Sequence, residues 1–524
     1  MIKFFQKTCL TIRRYVRIVL VPIAVSSLIC NILFVIFGNT TPDGYLEGPV
    51  VHRGADWALE TGRWFIRYIN LTTGNVIIPL FNFLVSLFLI FISSVIIIRL
   101  WNVKNKVNQA IIGVSLTIAP AVICQYLYIY NDLAFSIALF LSVFSVWLLF
   151  SNRLGKVSRI ILASLCLAFS LGCYQAYVGF AAALLVMTII IKQLDGEGLT
   201  QGLIRFLKAL LMGVCGGILY FVILKINLLV FGKQLAEYGG ADKVGIWNTL
   251  VSLPRSLFSA YKYFIDYFTT EAKFYGWILV LPMMAIGGAL LIYLLIKHRD
   301  WKKFCMVIIL VLLIPLAMNC VVLIAPDREV YYVMSHQMQL MVPFVLVIGE
   351  RAGSGLNRWG VTQKLSVLLA AGFCWTCIVA GYCTHYTMVF ASNYNKSNVQ
   401  TMLTRISTIE KDEDTKLLIA GEPDPSFQNA NKLYKYSYYT NSTAVWSNDY
   451  EHVCEGWRQY LAKNFGYDTG IVSREEFDDT VYSDEFQKMS LYPAEDSIKK
   501  INNIIVVKIT DYKESVDSAN QTNE

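Results

Sequence analysis

The chain has 524 residues, 56% of them hydrophobic and only 16% charged, with a mean hydropathy of +0.50. Soluble domains carry about a quarter charged residues, so this composition excludes an ordinary water-soluble protein and places the chain in the membrane class. The formal charge of +8 does not call for a nucleic-acid partner, because the basic residues are confined to a few short loops.

Apolar runs fall at 18–37, 76–98, 109–130, 133–150, 160–172, 174–191, 209–231, 277–296, 304–325, 338–349 and 365–389. About 20 apolar residues cross a bilayer, which predicts about 11 transmembrane helices. The first run follows a basic start and precedes no small-residue cleavage site, so it reads as an uncleaved first helix. The stretch 160–191 is too long for one span and is expected to break near Gly172 and Tyr174. The run 338–349 is the shortest, and its helix is expected to start nearer Tyr331.

Orientation follows from Lys and Arg. The N-terminal arm and the loops near 99–106, 153–159, 192–208, 297–303 and 351–364 hold 21 basic and 4 acidic residues. These six segments are assigned to the cytoplasm. Eleven spans then put loops 38–75, 232–276 and 326–337 outside, together with a tail from about 390 that carries 14 basic and 22 acidic residues. The expected organisation is a multi-span domain over 1–389 and an extracytoplasmic domain over 390–524. The fold class is an all-α polytopic membrane protein with a small α/β C-terminal domain. In the tail, Asn398–Glu410 continues the last span as a helix, and the β-branched runs Lys416–Ala420 and Asn503–Thr510 read as strands.

Most of the twelve cysteines lie in apolar runs, and only Cys454 lies in the tail, so no disulfide framework is expected. Cys374 and Cys377 imitate a redox motif, but inside a span they read as small buried hydrophobes. No two of the five histidines have metal-ligand spacing, and no Gly-rich loop precedes Lys-Ser or Lys-Thr, which argues against zinc and ATP chemistry.

Ionisable groups gather instead in the outer loops. Loop one holds Asp43, Glu47, Arg53, Asp56, Glu60, Arg63 and Arg67. Between Asp56 and Ile69, aromatic and apolar residues recur at helical spacing, as in an amphipathic helix lying at the interface and roofing a cavity. The alternative is a plain interfacial anchor. Asp43, just past the first span, suits a general base at the bilayer surface, where partial burial raises a carboxyl pKa, although Asp between Pro and Gly is also a common turn residue. Asn131 and Asp132 form the tight turn between spans three and four, where an acid is also a natural helix cap. Tyr174 and Gln175 sit at the break of the long run and either line a substrate pocket or pack at the interface. In the third loop, Arg328 can hold a phosphate, with Asp327 or Glu329 orienting it. A solvated loop is the competing explanation there.

Taken in order, several of these residues resemble a known family. An acid after span one, Thr61-Gly62-Arg63-Trp64 before span two, Tyr130-Asn131-Asp132 between spans three and four, and Gly172-Cys173-Tyr174-Gln175-Ala176 in the split run look like the Gtr type II membrane glucosyltransferases. The tail segment Tyr492-Pro493-Ala494-Glu495-Asp496-Ser497-Ile498, followed by Ile504–Ile509, is similar to the family's C-terminal ending. The resemblance implies a GT-C-type enzyme of the cytoplasmic membrane that takes a hexose, typically glucose, from a polyprenyl-phosphate carrier on the outer side. The acceptor would be a cell-surface glycan such as O-antigen, teichoic acid or capsule, and the transfer would invert the anomeric carbon. Asp43, with Glu47 or Asp56, would act on the acceptor. Arg63, Asn131, Asp132, Tyr174, Gln175, Arg328 and Glu329 would bind substrate. The family often shows two consecutive acids after span one, whereas here Gly44 follows Asp43, which puts the second carboxylate in doubt. The resemblance fixes no cofactor, and a divalent cation shared by Asp43 and Asp132 stays open. The rival reading is a transporter or flippase of lipid-linked sugars, which would place charges at mid-bilayer and broken helices in matching halves. A glycan polymerase or ligase would share this topology and these substrates, and a non-catalytic assembly subunit would share the topology alone.

Overall fold

A computed structural model describes residues 12–151, 155–236, 246–324, 330–353, 360–410, 412, 414–423 and 432–512. Among the described residues, ten helices are long and apolar enough to cross a membrane. They are Ile12–Phe37, Pro79–Leu100, Lys106–Leu127, Asp132–Phe150, Lys156–Cys173, Tyr177–Leu194, Leu199–Phe231, Trp277–Lys297, Trp301–Met318 and Gly360–Ile406. Each holds one of the apolar runs predicted from the sequence, and the long run breaks between Cys173 and Tyr177, at the expected place.

The eleventh run is too short to count as a full span by itself. It forms the 13-residue helix Met341–Gly353, preceded by the 3-10 segment His336–Leu340. The two ends of this stretch lie at opposite ends of the bundle. Tyr332 packs on Tyr438 of the tail, with ring centroids 5.0 Å apart. Arg351 donates to the Trp101 carbonyl at 2.8 Å and pairs with Asp195 at 2.7 Å, both beside basic loops. The segment therefore passes through the bundle and is buried along nearly all of it.

Between helices, small residues and polar pairs replace the hydrophobic drive that lipid cannot supply. A Cβ on Gly381 would come within 2.1 Å of Cys30 Sγ, so the first and last spans touch there. The same two spans share the bond between His385 Nε2 and Asn31 Oδ1, 2.9 Å long. The Trp101 indole N–H donates to Thr188 Oγ1 at 2.8 Å. Cys374 and Cys377 are buried and unbridged, as their apolar setting implied.

The stretch 232–276 is not simply a loop. It contains the 23-residue amphipathic helix Ile246–Phe268, with Pro254 inside it. Asn319 Nδ2 donates to the Ala260 carbonyl at 2.8 Å, and the Tyr261 hydroxyl to the Leu312 carbonyl at 2.6 Å. Those bonds hold the helix against the neighbouring span.

The last helix runs unbroken for 47 residues, from Gly360 to Ile406, and carries the chain straight into the tail. The tail sheet has order β1-β3-β2, with β1 Lys416–Ala420 parallel to β3 Ile504–Lys508 and β2 Ile498–Ile501 antiparallel to β3. Two of these strands were legible as β-branched runs. The hairpin partner β2, with its two lysines, was not. The tail core joins Val399, Met402 and Ile406 of the long helix to the strands, and it also takes in Tyr45 from loop one.

Candidate functional site

The first span ends on Gly38 in the left-handed conformation. Thr40 and Thr41 then tie the chain down, through Thr40 Oγ1 to the Leu127 carbonyl at 2.8 Å and the Thr41 N–H to the same carbonyl at 3.2 Å. Thr41 caps the short helix Pro42–Leu46, its hydroxyl accepting from the Gly44 N–H, with Pro42 at the first helical position. Asp43 and Glu47 lie four residues apart on this turn, so both carboxylates share one face. The geometry also accounts for the missing acid at position 44. A Cβ on Gly44 would lie 1.9 Å from Thr40 Oγ1, so an Asp there would expel the threonine that anchors the turn. Glu47 is thereby the second carboxylate beside Asp43.

Arg63 reaches the same place from a break in the following segment. Instead of one amphipathic helix, residues 55–71 form two, Ala55–Glu60 and Trp64–Leu71. Gly62 separates them at φ +83, with no room for a Cβ, since Tyr220 Oη would be 2.4 Å away. Gln175 and Tyr220 hold the break. The Gln175 amide donates to the Thr61 carbonyl at 2.9 Å, and the Tyr220 hydroxyl to the Gly62 carbonyl at 3.0 Å. Gln175, a candidate substrate ligand by sequence, thus acts on the backbone next to Arg63. The Arg63 guanidinium stands 5.4 Å from the centre of the Tyr174 ring, a cation–π contact. The second of the two helices packs on the helix Lys156–Cys173, with Trp64 buried against Phe169 at 5.1 Å between ring centroids.

Burial sets the electrostatics. It pushes the Asp43 carboxyl above its usual range, opposed by the indole N–H of Trp446 and by His452 and Arg63. It pushes Glu47 up to about 7, with Arg63 pulling down and Asp43 pushing further up. Burial lowers His52 to about 4. The His52–Glu47 approach of 3.9 Å is therefore a contact with a neutral imidazole at pH 7, and not an ion pair. Glu47 Oε2 and Arg63 Nε are buried without a hydrogen-bond partner among the described residues.

The tail supplies what the sequence did not reveal. Trp446 Nε1 donates to Asp43 Oδ1 at 2.6 Å. The edge of its ring meets His452 at 4.6 Å, and His452 Nδ1 is bonded to Asp449 at 2.8 Å. Arg53 pairs with Glu455 at 3.0 Å, and the Ser442 hydroxyl donates to the Thr40 carbonyl at 3.1 Å. Trp446 stands some 400 positions from Asp43, beyond any local periodicity. The one available signal was a Trp and a His close together in a turn-rich stretch.

The remaining candidates fall elsewhere. Asp56 is paired with Arg67 at 3.1 Å and Lys233 at 2.9 Å, whereas Glu47 lies on the same helical turn as Asp43. Asp132 is buried, with Oδ1 accepting from Asn82 Nδ2 at 2.8 Å and from the Leu133 N–H at 2.6 Å. Asn131, buried beside it, occupies the helix-cap position without making a side-chain cap bond. Asp43 and Asp132 thus have separate partners, and among the described residues no group of three or more His, Cys, Asp or Glu could hold a metal. Arg328 and Glu329 lie outside the described residues.

Compared with known proteins, residues 48–343 match the family model described as Glucosyl transferase GtrII. No curated protein and no solved structure matches the chain. The matched stretch includes Arg63, Tyr174, Gln175 and Tyr220, and it begins just after Asp43 and Glu47.

Proposed function

The chain belongs to the glucosyl transferase GtrII family, and from that premise we propose that it moves a glucosyl unit from a polyprenyl-phosphate carrier to a surface glycan on the outer face of the cytoplasmic membrane. The acceptor hydroxyl attacks the anomeric carbon in line. Its proton passes to Asp43 as the new glycosidic bond forms. The bond from that carbon to the phosphate oxygen breaks, and polyprenyl phosphate leaves with the bonding electrons. Inversion follows from a single displacement.

The observation that carries this reading is the meeting of Asp43, Glu47 and Arg63 under the tail. A general base works best with a pKa near the working pH, and burial moves Asp43 in that direction. Fixed positive charge beside the leaving oxygen lowers the barrier by electrostatic preorganisation, which is the role assigned to Arg63. Tyr174 fixes the orientation of that guanidinium from one face. Glu47, with a pKa of about 7, donates or accepts a hydrogen bond at the sugar according to pH.

The test is transfer from glucosyl polyprenyl phosphate to isolated surface polysaccharide by purified protein. Asp43→Asn is expected to lower kcat by about 10²–10⁴-fold, the usual share of a general base, with an unchanged melting temperature. An Asp43→Asn enzyme of full activity would remove Asp43 from the mechanism.

A further inference from the structure

A second feature beside the carboxylates is a cavity of about 560 Å³, within the size range of small-ligand sites. We infer that this cavity is the binding site for the sugar rings of a neutral acceptor glycan, an inference that rests on the glucosyl-transfer reading above. Its walls are phenol rings from four separate parts of the chain. Tyr128 comes from the turn after the third span, Tyr263 and Tyr267 from the helix Ile246–Phe268, Tyr332 from the buried traverse, and Tyr438 and Tyr439 from the tail. Tyr128, Tyr263, Tyr332 and Tyr439 are each half-buried. A tyrosine offers an apolar ring face and a polar tip. That pair of surfaces matches a pyranose, with its C–H face and its rim of hydroxyls.

The cavity is connected to the acids by a file of rings. Tyr439 lies 6.5 Å from Tyr128, Tyr128 lies 6.1 Å from Tyr130, and Tyr130 stacks on His52 at 6.0 Å, all between centroids. His52 Nε2 then stands 3.9 Å from Glu47 Oε2. A glycan seated in the cavity would sit at one end of this packed file, whose other end is the buried His52 beside Glu47.

Charge separates this ligand from the donor. Among the described residues, the lining holds the acids Asp266 and Glu271 against one base, Lys262. A phosphate gains nothing there, whereas sugar hydroxyls can donate to both carboxylates. The walls are also fixed before any ligand arrives, which lowers the ordering cost of binding. The Tyr332 hydroxyl is bonded to the Glu271 carboxylate, and the Tyr267 hydroxyl donates to Gln339 Oε1 at 3.2 Å.

The experiment measures binding of the full-length protein in detergent micelles to dextran, mannan, a rhamnan, polyglycerol phosphate and undecaprenyl phosphate. At least one neutral polysaccharide is expected to bind. Tyr263→Ala and Tyr439→Ala are expected to weaken that binding by about tenfold, the equivalent of one lost stacking contact. Tyr263→Phe should retain it, and undecaprenyl phosphate should bind all variants equally. No binding of any neutral polysaccharide, or binding indifferent to the alanine variants, overturns the inference. So does a loss that falls on undecaprenyl phosphate or polyglycerol phosphate instead. Transfer assayed on the same samples separates the two ideas. A protein that binds neutral glycan through these tyrosines yet transfers no glucose sinks the transferase mechanism and leaves the subsite standing.

Discussion

Asp43 and Glu47 occupy one face of one helical turn, but their surroundings differ. The Trp446 indole N–H favours the charged form of Asp43 and so lowers its pKa against the effect of burial. Trp446→Phe deletes that donor and keeps the ring. A hydrogen bond to a charged group is worth about 1.5–3 kcal/mol, so the acidic limb of kcat/KM against pH should move up by about one to two pH units. An unmoved limb would mean that Asp43 does not titrate in the rate. Glu47 has only Arg63 drawing it down, and its folded pKa of about 7 stands above the ordinary carboxyl value of 4.5. Its contribution to stability is therefore fully present below about pH 4.5 and is lost as pH rises through about 7. Glu47→Gln should melt at a temperature closer to wild type at pH 5 and higher than wild type at pH 8. The difference should grow by at most on the order of 3 kcal/mol. A gap in melting temperature that stays constant between those pH values would contradict the burial of this carboxyl. Asp43 and Arg63 were readable because a charged residue at a membrane boundary demands a reason. Trp446 and His452 were not, because an aromatic residue in a turn-rich tail has many ordinary explanations.

Among the elements, the break at Gly62 does most to place the site. It converts one amphipathic run into two short helices and leaves Arg63 at the junction, held by Gln175 and Tyr220. Gly62→Ala must adopt a left-handed conformation, at about 1–2 kcal/mol, and must also displace the Tyr220 hydroxyl. The expected outcome is a raised KM for the lipid-linked donor with expression retained. A donor KM equal to wild type would show that Arg63 does not depend on this junction. The spacing of apolar residues made the helix 55–71 legible, but φ at a single glycine is set by tertiary contacts, so the split was not. The long-run break at Cys173 was legible because a continuously apolar run of 32 residues would measure about 48 Å as one helix, well beyond a hydrocarbon core of about 30 Å. The helix Ile246–Phe268 was hidden by its composition. Its polar face and Pro254 keep its hydropathy below that of a span, and the pattern looks like a loop when only continuous apolar runs are sought.

Across the whole molecule, parity is the strongest constraint. Ten full helices and the buried stretch from Tyr332 to Gly353 place the tail at the bundle end opposite the basic loops 99–106 and 192–208. A reporter active only outside the cytoplasm, fused after Glu524, should be active, and the same reporter inserted between Lys297 and Lys302 should be silent. The reverse pattern would invert the assigned orientation and put the carboxylates on the wrong side for an external acceptor. Charge counts in loops predicted that the tail and the basic loops lie at opposite ends, since they depend on residue type alone. The docking of the tail on loop one was not encoded in any such tally. It arises from pairs such as Arg53 with Glu455 and from Tyr45 entering the tail core.

The helix Gly360–Ile406 has a mechanical consequence. At about 1.5 Å per residue, its 47 residues measure about 70 Å, more than twice the hydrocarbon thickness of about 30 Å. One stiff rod therefore has its lower half gripped by lipid and its upper half wedged inside the domain that presents Trp446. Thinner or thicker lipid would tilt that rod, and the indole at its far end would swing with it. A tilt of the rod would thus act on the domain that carries the hydrogen bond from Trp446 to Asp43.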